Sequence, residues 1–155
     1  MARVQLALNV NDLEEAIEFY SKLFATPPAK VRPGYANFAI DEPPLKLVLI
    51  EGVEGGTLNH LGIEVTSRTE VTAAQQRLTG QGLATVTEDE VACCFALQDK
   101  VWVDGPSGEP WEIYTVLADV EMPAGALRSV DPDADPRCCA SVPVSSEPAS
   151  SNGCC

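Results

Sequence analysis

The residues best suited to chemistry in this sequence are six cysteines, which occur only as adjacent pairs. Neighbouring α-carbons lie about 3.8 Å apart, whereas ordinary disulfides need roughly 4.4–6.8 Å, so no disulfide framework is predicted. Free thiols in a reducing cytoplasm are the simpler interpretation. Two sulfurs on one short segment can bind a single thiophilic atom, such as trivalent arsenic or cadmium. The pairs are Cys93-Cys94, Cys138-Cys139 and Cys154-Cys155.

Cys93 and Cys94 are the candidate substrate ligands because they lie in the part of the chain that is expected to fold, unlike the other two pairs. On a regular strand the two side chains would face opposite sides, so binding one atom requires a loop or a bulge. The irregular segment 96–100 permits one, and a mobile loop over 91–100 that closes on bound arsenic would act as a lid. The alternative is one cysteine packed as a small hydrophobic residue beside an incidental neighbour.

Composition excludes several classes of function. The 155 residues carry 23 acidic and 10 basic side chains, a net charge of −13, so a basic face for nucleic acid or an anionic membrane is not expected. No apolar run reaches the roughly 20 residues that span a bilayer. The first residues do not resemble a secretory signal, and we expect a cytoplasmic protein that is a monomer or a homodimer.

The composition changes near residue 118. Residues 119–155 contain five prolines, six serines and no aromatic residue, which predicts a flexible tail. The expected domain is therefore 1–118. The tail cysteines are candidate accessory thiols, and the alternative is that they have no role; they are Cys138, Cys139, Cys154 and Cys155.

Residues 1–118 contain an internal repeat. Residues 4–10 and 59–65 both alternate with a period of two, which predicts strands, and an offset of 55 places His60 on Gln5. The offset continues into two helix starts, at Asp12 and Ser67, each with a glutamate three residues later. Gly80 is the expected end of the second helix.

Three strands are predicted after each helix, near 30–33, 35–40 and 45–50 in the first half and near 83–88, 93–103 and 110–116 in the second. A turn at 104–108, Asp-Gly-Pro-Ser-Gly, precedes the last strand. Two tandem βαβββ modules with this turn resemble the vicinal-oxygen-chelate superfamily of glyoxalases, extradiol dioxygenases and bleomycin resistance proteins. The resemblance implies an α+β fold in which modules 1–55 and 56–118 form an open, cupped β-sheet around a metal site.

Gln5 and His60 should line the concave face of this sheet, because the alternating apolar residues face the helices. The resemblance then implies that Gln5, His60 and Glu112 are catalytic metal ligands, with Leu47 near the position of a fourth ligand that is missing. One amide, one imidazole and one carboxylate resemble the triad that holds Fe(II) with open positions. No cationic group near the cysteines is expected to promote thiolate formation.

A metal triad combined with a vicinal cysteine pair resembles the branch of organoarsenical carbon–arsenic lyases and cadmium-induced proteins. The resemblance implies a non-heme Fe(II)- and O2-dependent, dioxygenase-like enzyme of arsenical detoxification. Its substrates would be methylarsenite and trivalent aromatic arsenicals, and its product inorganic arsenite. The alternatives are a non-catalytic protein that sequesters arsenic or cadmium, and another glyoxalase- or extradiol-dioxygenase-type enzyme.

Overall fold

The computed structural model describes residues 2–121 and the backbone of residues 142 and 143. These residues form two helices and nine strands, and the predicted pair of βαβββ modules is confirmed. The elements are β1 (Arg3–Val10), α1 (Leu13–Leu23), β2 (Lys30–Arg32), β3 (Tyr35–Ile40), β4 (Leu45–Glu51), β5 (Thr57–Glu64), α2 (Arg68–Gly80), β6 (Val86–Cys93), β7 (Ala96–Asp104), β8 (Pro110–Asp119) and β9 (Val142–Pro143).

The strands belong to one sheet with the order β2-β3-β4-β1-β5-β8-β7-β6-β9. The first strands of the two modules, β1 and β5, pair antiparallel at its centre, and each also pairs parallel with the last strand of its own module. Tyr35 of β3 and Phe95, which follows β6, bring their rings to 5.5 Å between centroids. Because these aromatic rings come from the two arms of the sheet, the sheet curls into the expected cup.

The two helices begin where the sequence predicts. The side chain of Asp12 accepts a hydrogen bond from the backbone N–H of Glu15, and Ser67 does the same for Glu70, which satisfies N–H groups that a helix start leaves unpaired. The apolar side of each helix packs on the outer face of the sheet. The helices therefore leave the inner face uncovered, and polar and apolar side chains together line it.

The predicted end of α2 at Gly80 is confirmed, although the left-handed glycine lies two residues further on. Gly80 is the last helical residue, whereas Gly82 adopts the left-handed conformation at φ +82°. The N–H of Leu83 then donates to the carbonyl of Leu78, which completes a Schellman motif. The helix thus stops two residues before the glycine whose backbone conformation the motif requires.

Two strand predictions in the second module need correction. β6 and β7 span 86–93 and 96–104 rather than 83–88 and 93–103, so Cys93 and Cys94 lie at the junction between the two strands. The segment 91–100 is mostly paired strand, not the irregular loop expected from the sequence.

The predicted tail lies largely outside the described residues, as do Cys138, Cys139, Cys154 and Cys155. β8 continues to Asp119, and the backbone at 142–143 pairs antiparallel with β6. Neither helix of the described part of the chain has the length and apolar character that crossing a membrane requires.

Candidate active site

The three predicted metal ligands meet on the concave face of the sheet. Gln5, His60 and Glu112 come from the adjacent strands β1, β5 and β8, and each is at least nine-tenths buried. Gln5 Nε2 lies 2.7 Å from Glu112 Oε1 and 3.0 Å from His60 Nε2. The remaining separation, His60 Nε2 to Glu112 Oε1, is 3.3 Å.

This triangle has the dimensions of one face of a metal coordination sphere. Nitrogen and oxygen ligands lie about 2.1 Å from Zn²⁺ or Mg²⁺, and two such ligands at a right angle are about 3.0 Å apart. A half-turn of the Gln5 amide puts its oxygen at the third corner. Tyr114, whose hydroxyl now donates to Gln5 Oε1, would then accept from the amide nitrogen. The donor set therefore fits a divalent metal bound through three protein atoms.

A second layer of polar side chains fixes the His60 ring. Asn59 Nδ2 donates to Asn9 Oδ1 at 2.9 Å, so Asn59 Oδ1 is the atom that faces His60 Nδ1, at 2.7 Å. Nδ1 consequently carries a proton, so in the neutral ring the lone pair lies on Nε2. Histidine ligands of metals are commonly oriented by such a hydrogen bond.

Glu112 remains an anion in this buried place. Burial alone would raise the pKa of its carboxyl, but the Lys100 ammonium and His60 outweigh burial and hold the pKa well below its ordinary range. Lys100 Nζ lies 2.7 Å from Glu112 Oε2. The carboxylate is thus charged and ready to bind a cation.

The first module has no counterpart to Glu112. β1 pairs Leu6 with Leu47, and β5 pairs Leu61 with Trp111. Val48 therefore occupies the place that Glu112 has in the second module, not Leu47 as the sequence suggested. Leu47 packs in the outer core with α1, whereas Val48 lines the inner cavity. The fourth corner of the site consequently carries an apolar side chain without a donor atom.

The predicted thiol ligands approach the same cavity. Cys94 lines it together with the three predicted metal ligands, and the cavity measures about 190 Å³. Cys93 is buried directly behind, with the two Sγ atoms 3.4 Å apart. Two thiolate bonds of about 2.3 Å that meet near a right angle separate their sulfurs by about 3.3 Å. The pair can hold one soft atom with little movement.

The backbone explains how neighbouring cysteines face one another. Cys93 pairs with Ala96 across the β6–β7 hairpin, so Cys94 and Phe95 form its two-residue turn. Both have positive φ, 53° and 61°, as in a type I′ turn. A tight turn rather than a bulge or a long loop brings the thiols together.

Basic side chains lie near the thiols, contrary to the sequence-based expectation. Lys30 and Lys46 line the cavity with Cys94, and Lys30 Nζ lies 3.3 Å from the carbonyl of Phe95. Burial lowers the pKa of Lys46, although attraction to Glu64, Glu112 and Cys94 opposes this. Such cations favour the thiolate form of a nearby cysteine.

Sequence reasoning missed Lys100, Asn59 and Gly62. Trp102 of β7 faces Glu112 of β8, and Lys100 faces Tyr114, so alternation from the turn at 104–108 could have placed Lys100 beside Glu112. A Cβ on Gly62 would lie 3.2 Å from Gln5 Nε2 and from Glu112 Cγ. That position is next to the predicted ligands, and a larger side chain there requires the neighbouring atoms to shift.

Paired βαβββ modules around an inward-facing donor set define the class of protein to which this chain is related. The sequence model of the Glyoxalase/Bleomycin resistance protein/Dioxygenase superfamily matches residues 3–113, and the chain belongs to this superfamily.

Sequence identity to named proteins relates the chain to a smaller group within this superfamily. It is 63% identical over 128 residues, 81% of this chain and 85% of the relative, to a Thermomonospora curvata protein named trivalent organoarsenical cleaving enzyme. It is also 63% identical over 132 residues, 84% and 87% of the two chains, to the cadmium-induced protein CadI of Mycobacterium bovis. Homoprotocatechuate 2,3-dioxygenase from Arthrobacter globiformis shares the fold, with a TM-score of 0.55, 24% identity and coverage of 76% of this chain and 36% of that one.

Proposed function

We propose that this protein is a cytoplasmic, Fe(II)- and O2-dependent carbon–arsenic lyase. It would demethylate methylarsenite and cleave trivalent aromatic arsenicals to inorganic arsenite. The observation that carries the proposal is one cavity lined by Gln5, His60, Glu112 and Cys94, with the sulfur of Cys93 3.4 Å from that of Cys94. The name of the Thermomonospora curvata relative supports the same substrate class.

The thiols provide substrate binding in this proposal. Cys93 and Cys94 displace two hydroxide groups from trivalent arsenic as water and form two As–S bonds, while the carbon substituent stays on arsenic. The turn directs that substituent into the cavity toward the ligand triangle. Pentavalent arsenicals do not form such stable thiolate bonds and should not be substrates.

The triad provides the metal site. Gln5, His60 and Glu112 would hold Fe(II) on one face, which leaves positions for other ligands. The iron, when bound, supplies O2 activation. Since each ligand is buried, bulk water has little access to the reacting groups. The atoms of one methylarsenous acid and one O2 balance to one arsenous acid and one formaldehyde, so formaldehyde is the expected carbon product.

The test is anaerobic loading of the full chain with Fe(II), followed by methylarsenite and then air, with arsenic speciation by chromatography. We expect inorganic arsenite in excess over protein, with an equal amount of formaldehyde. Glu112→Ala should abolish turnover, whereas Glu18→Ala, which removes an exposed carboxylate on α1, should leave it intact. Full turnover by Glu112→Ala would refute the proposed metal site.

Sequestration of soft metals without catalysis is the second candidate, and the vicinal thiols and the cadmium-induced relative favour it. In that case arsenic would stay methylated and bound to the protein in the same assay. Glu112→Ala would bind methylarsenite as well as the wild type, and Cys94→Ser would not. Turnover beyond one arsenic atom per chain would exclude sequestration as the whole function.

A further inference from the structure

Lys100 is a charged side chain placed where the sheet is most enclosed. It lies on β7 with 1% of its surface exposed, among the largest fully buried side chains of the described residues. Its ammonium lies 5.2 Å from the ring centre of Trp102 and 5.9 Å from that of Tyr114. Lysine is almost never fully buried unless it is paired, and its partner here is Glu112.

The two oxygens of Glu112 have separate partners. Oε1 faces the ligand triangle, 2.7 Å from Gln5 Nε2 and 3.3 Å from His60 Nε2. Oε2 points away from the triangle to Lys100 Nζ, at 2.7 Å. The carboxylate is therefore oriented so that only one oxygen is directed at the position of a metal.

The separate partners of the two Glu112 oxygens determine how many coordination positions remain open on a bound metal. A carboxylate binds a cation through one oxygen or through both. Binding through both would draw Oε2 away from Lys100 and leave a buried ammonium without its carboxylate, which is strongly unfavourable. The second oxygen would also occupy one of the three positions that a six-coordinate ion keeps after binding three protein atoms.

We infer that Lys100 is a positioning residue that limits Glu112 to one metal bond and thereby keeps a coordination position open. The inference rests on the metal site in the proposed function. The inference concerns how many coordination positions on the metal stay open for small molecules. Knowing which three residues bind the metal does not determine that number.

The test uses Mn(II), whose bound waters can be counted by the relaxation of solvent protons. Wild type, Lys100→Met and Lys46→Met are loaded with Mn(II) as full chains, and the relaxivity per bound ion is compared. We expect Lys100→Met to lose about one third of the relaxivity from bound water, because one of three waters is replaced by Glu112 Oε2. Lys46→Met is the matched control, since Lys46 also lines this cavity but pairs with Glu64 at 3.6 Å; its relaxivity should match that of the wild type.

Unchanged relaxivity in Lys100→Met would overturn the inference. Should that variant not fold, a crystal structure of the Mn(II)-loaded wild type decides instead. Glu112 Oε1 on the metal with Oε2 on Lys100 supports the inference, and both oxygens on the metal overturns it while leaving the metal site intact. A wild-type chain that binds neither Mn(II) nor Fe(II) would overturn the inference and the proposed metal site together.

Discussion

Replacing Glu112 with glutamine should destabilise the protein even when no metal is present. In the native state both carboxylate oxygens accept hydrogen bonds, one from Gln5 Nε2 and one from Lys100 Nζ. An amide has one oxygen, so Glu112→Gln must turn its own NH2 group toward one of these donors. The variant keeps the shape of the side chain, and its effect therefore reports on charge and hydrogen bonding.

The expected loss follows from this geometry. Removing one partner of a buried ion pair costs about 3–5 kcal/mol. The amide oxygen of the glutamine can still accept a hydrogen bond from one donor, which reduces this cost. We expect a loss of about 3 kcal/mol in the free energy of unfolding, a large part of the roughly 5–15 kcal/mol typical of a folded domain. Adding Lys100→Met to Glu112→Gln should recover much of the loss, because the ammonium that lost its carboxylate is then absent.

The assay is urea unfolding of the metal-free proteins at pH 7, followed by circular dichroism. The matched control is Glu18→Gln, which loses an exposed carboxylate paired with Lys22; no measurable change is expected. Equal midpoints and slopes for wild type and Glu112→Gln would refute the ion pair as the structure places it.

The same pair predicts a pH dependence. The pKa of Glu112 is held below its ordinary range in the native state, while in the unfolded chain it is about 4.3. The stabilisation is therefore complete above the unfolded value and is lost as the pH falls through the native one. The difference in stability between wild type and Glu112→Gln should accordingly shrink below about pH 4. A difference that grows on acidification would contradict the assigned direction.

Four further variants test the site. Cys93→Ser and Cys94→Ser should each weaken methylarsenite binding by at least about 100-fold, because a two-point attachment becomes a one-point attachment; calorimetric titration measures this, and an unchanged affinity would exclude joint binding. Asn59→Ala should weaken Fe(II) binding by about 10- to 100-fold, since it removes the hydrogen-bond acceptor for His60 Nδ1. An unchanged Fe(II) affinity would show that Asn59 does not orient the His60 ring. Gly62→Ala should lower turnover by about tenfold or more, because its Cβ would lie 3.2 Å from ligand atoms on both neighbouring strands and small displacements at reacting groups are costly. Wild-type kinetics in that variant would show that the ligands can move aside freely.

The sequence predicts well those features that local rules determine. The caps at Asp12 and Ser67 and the period-two strands depend on a few neighbouring residues, and the offset of 55 then relates Gln5 to His60. The curl of the sheet also follows once two βαβββ modules are recognised. For these reasons the helix starts, the cupped sheet of two βαβββ modules and the inward direction of Gln5 and His60 are all predicted before the structure.

Features that depend on register or on distant partners are harder to predict. A shift of one residue exchanged Leu47 for Val48, because the offset between the modules is not constant along the chain and alternate residues face opposite sides of a sheet. Alternation along β7 can place Lys100 on the same face of the sheet as Glu112, but it does not reveal that the side chain is buried. Its burial arises only when the carboxylate of β8 and the aromatic rings beside it assemble around the ammonium.

The turn at Cys94 and Phe95 explains how two neighbouring cysteines can bind the same atom. On an extended strand the two thiols would diverge, whereas positive φ at both turn residues rotates Cys94 back toward Cys93. Side chains other than glycine, asparagine and aspartate are uncommon in this conformation, and strain of this kind persists when the surrounding packing determines it. Here the ring of Phe95 packs against Tyr35 on the opposite arm of the cup. The contact that holds the strained turn is therefore also the contact that places the thiols over the cavity, so the fold and the proposed binding of substrate depend on the same aromatic pair.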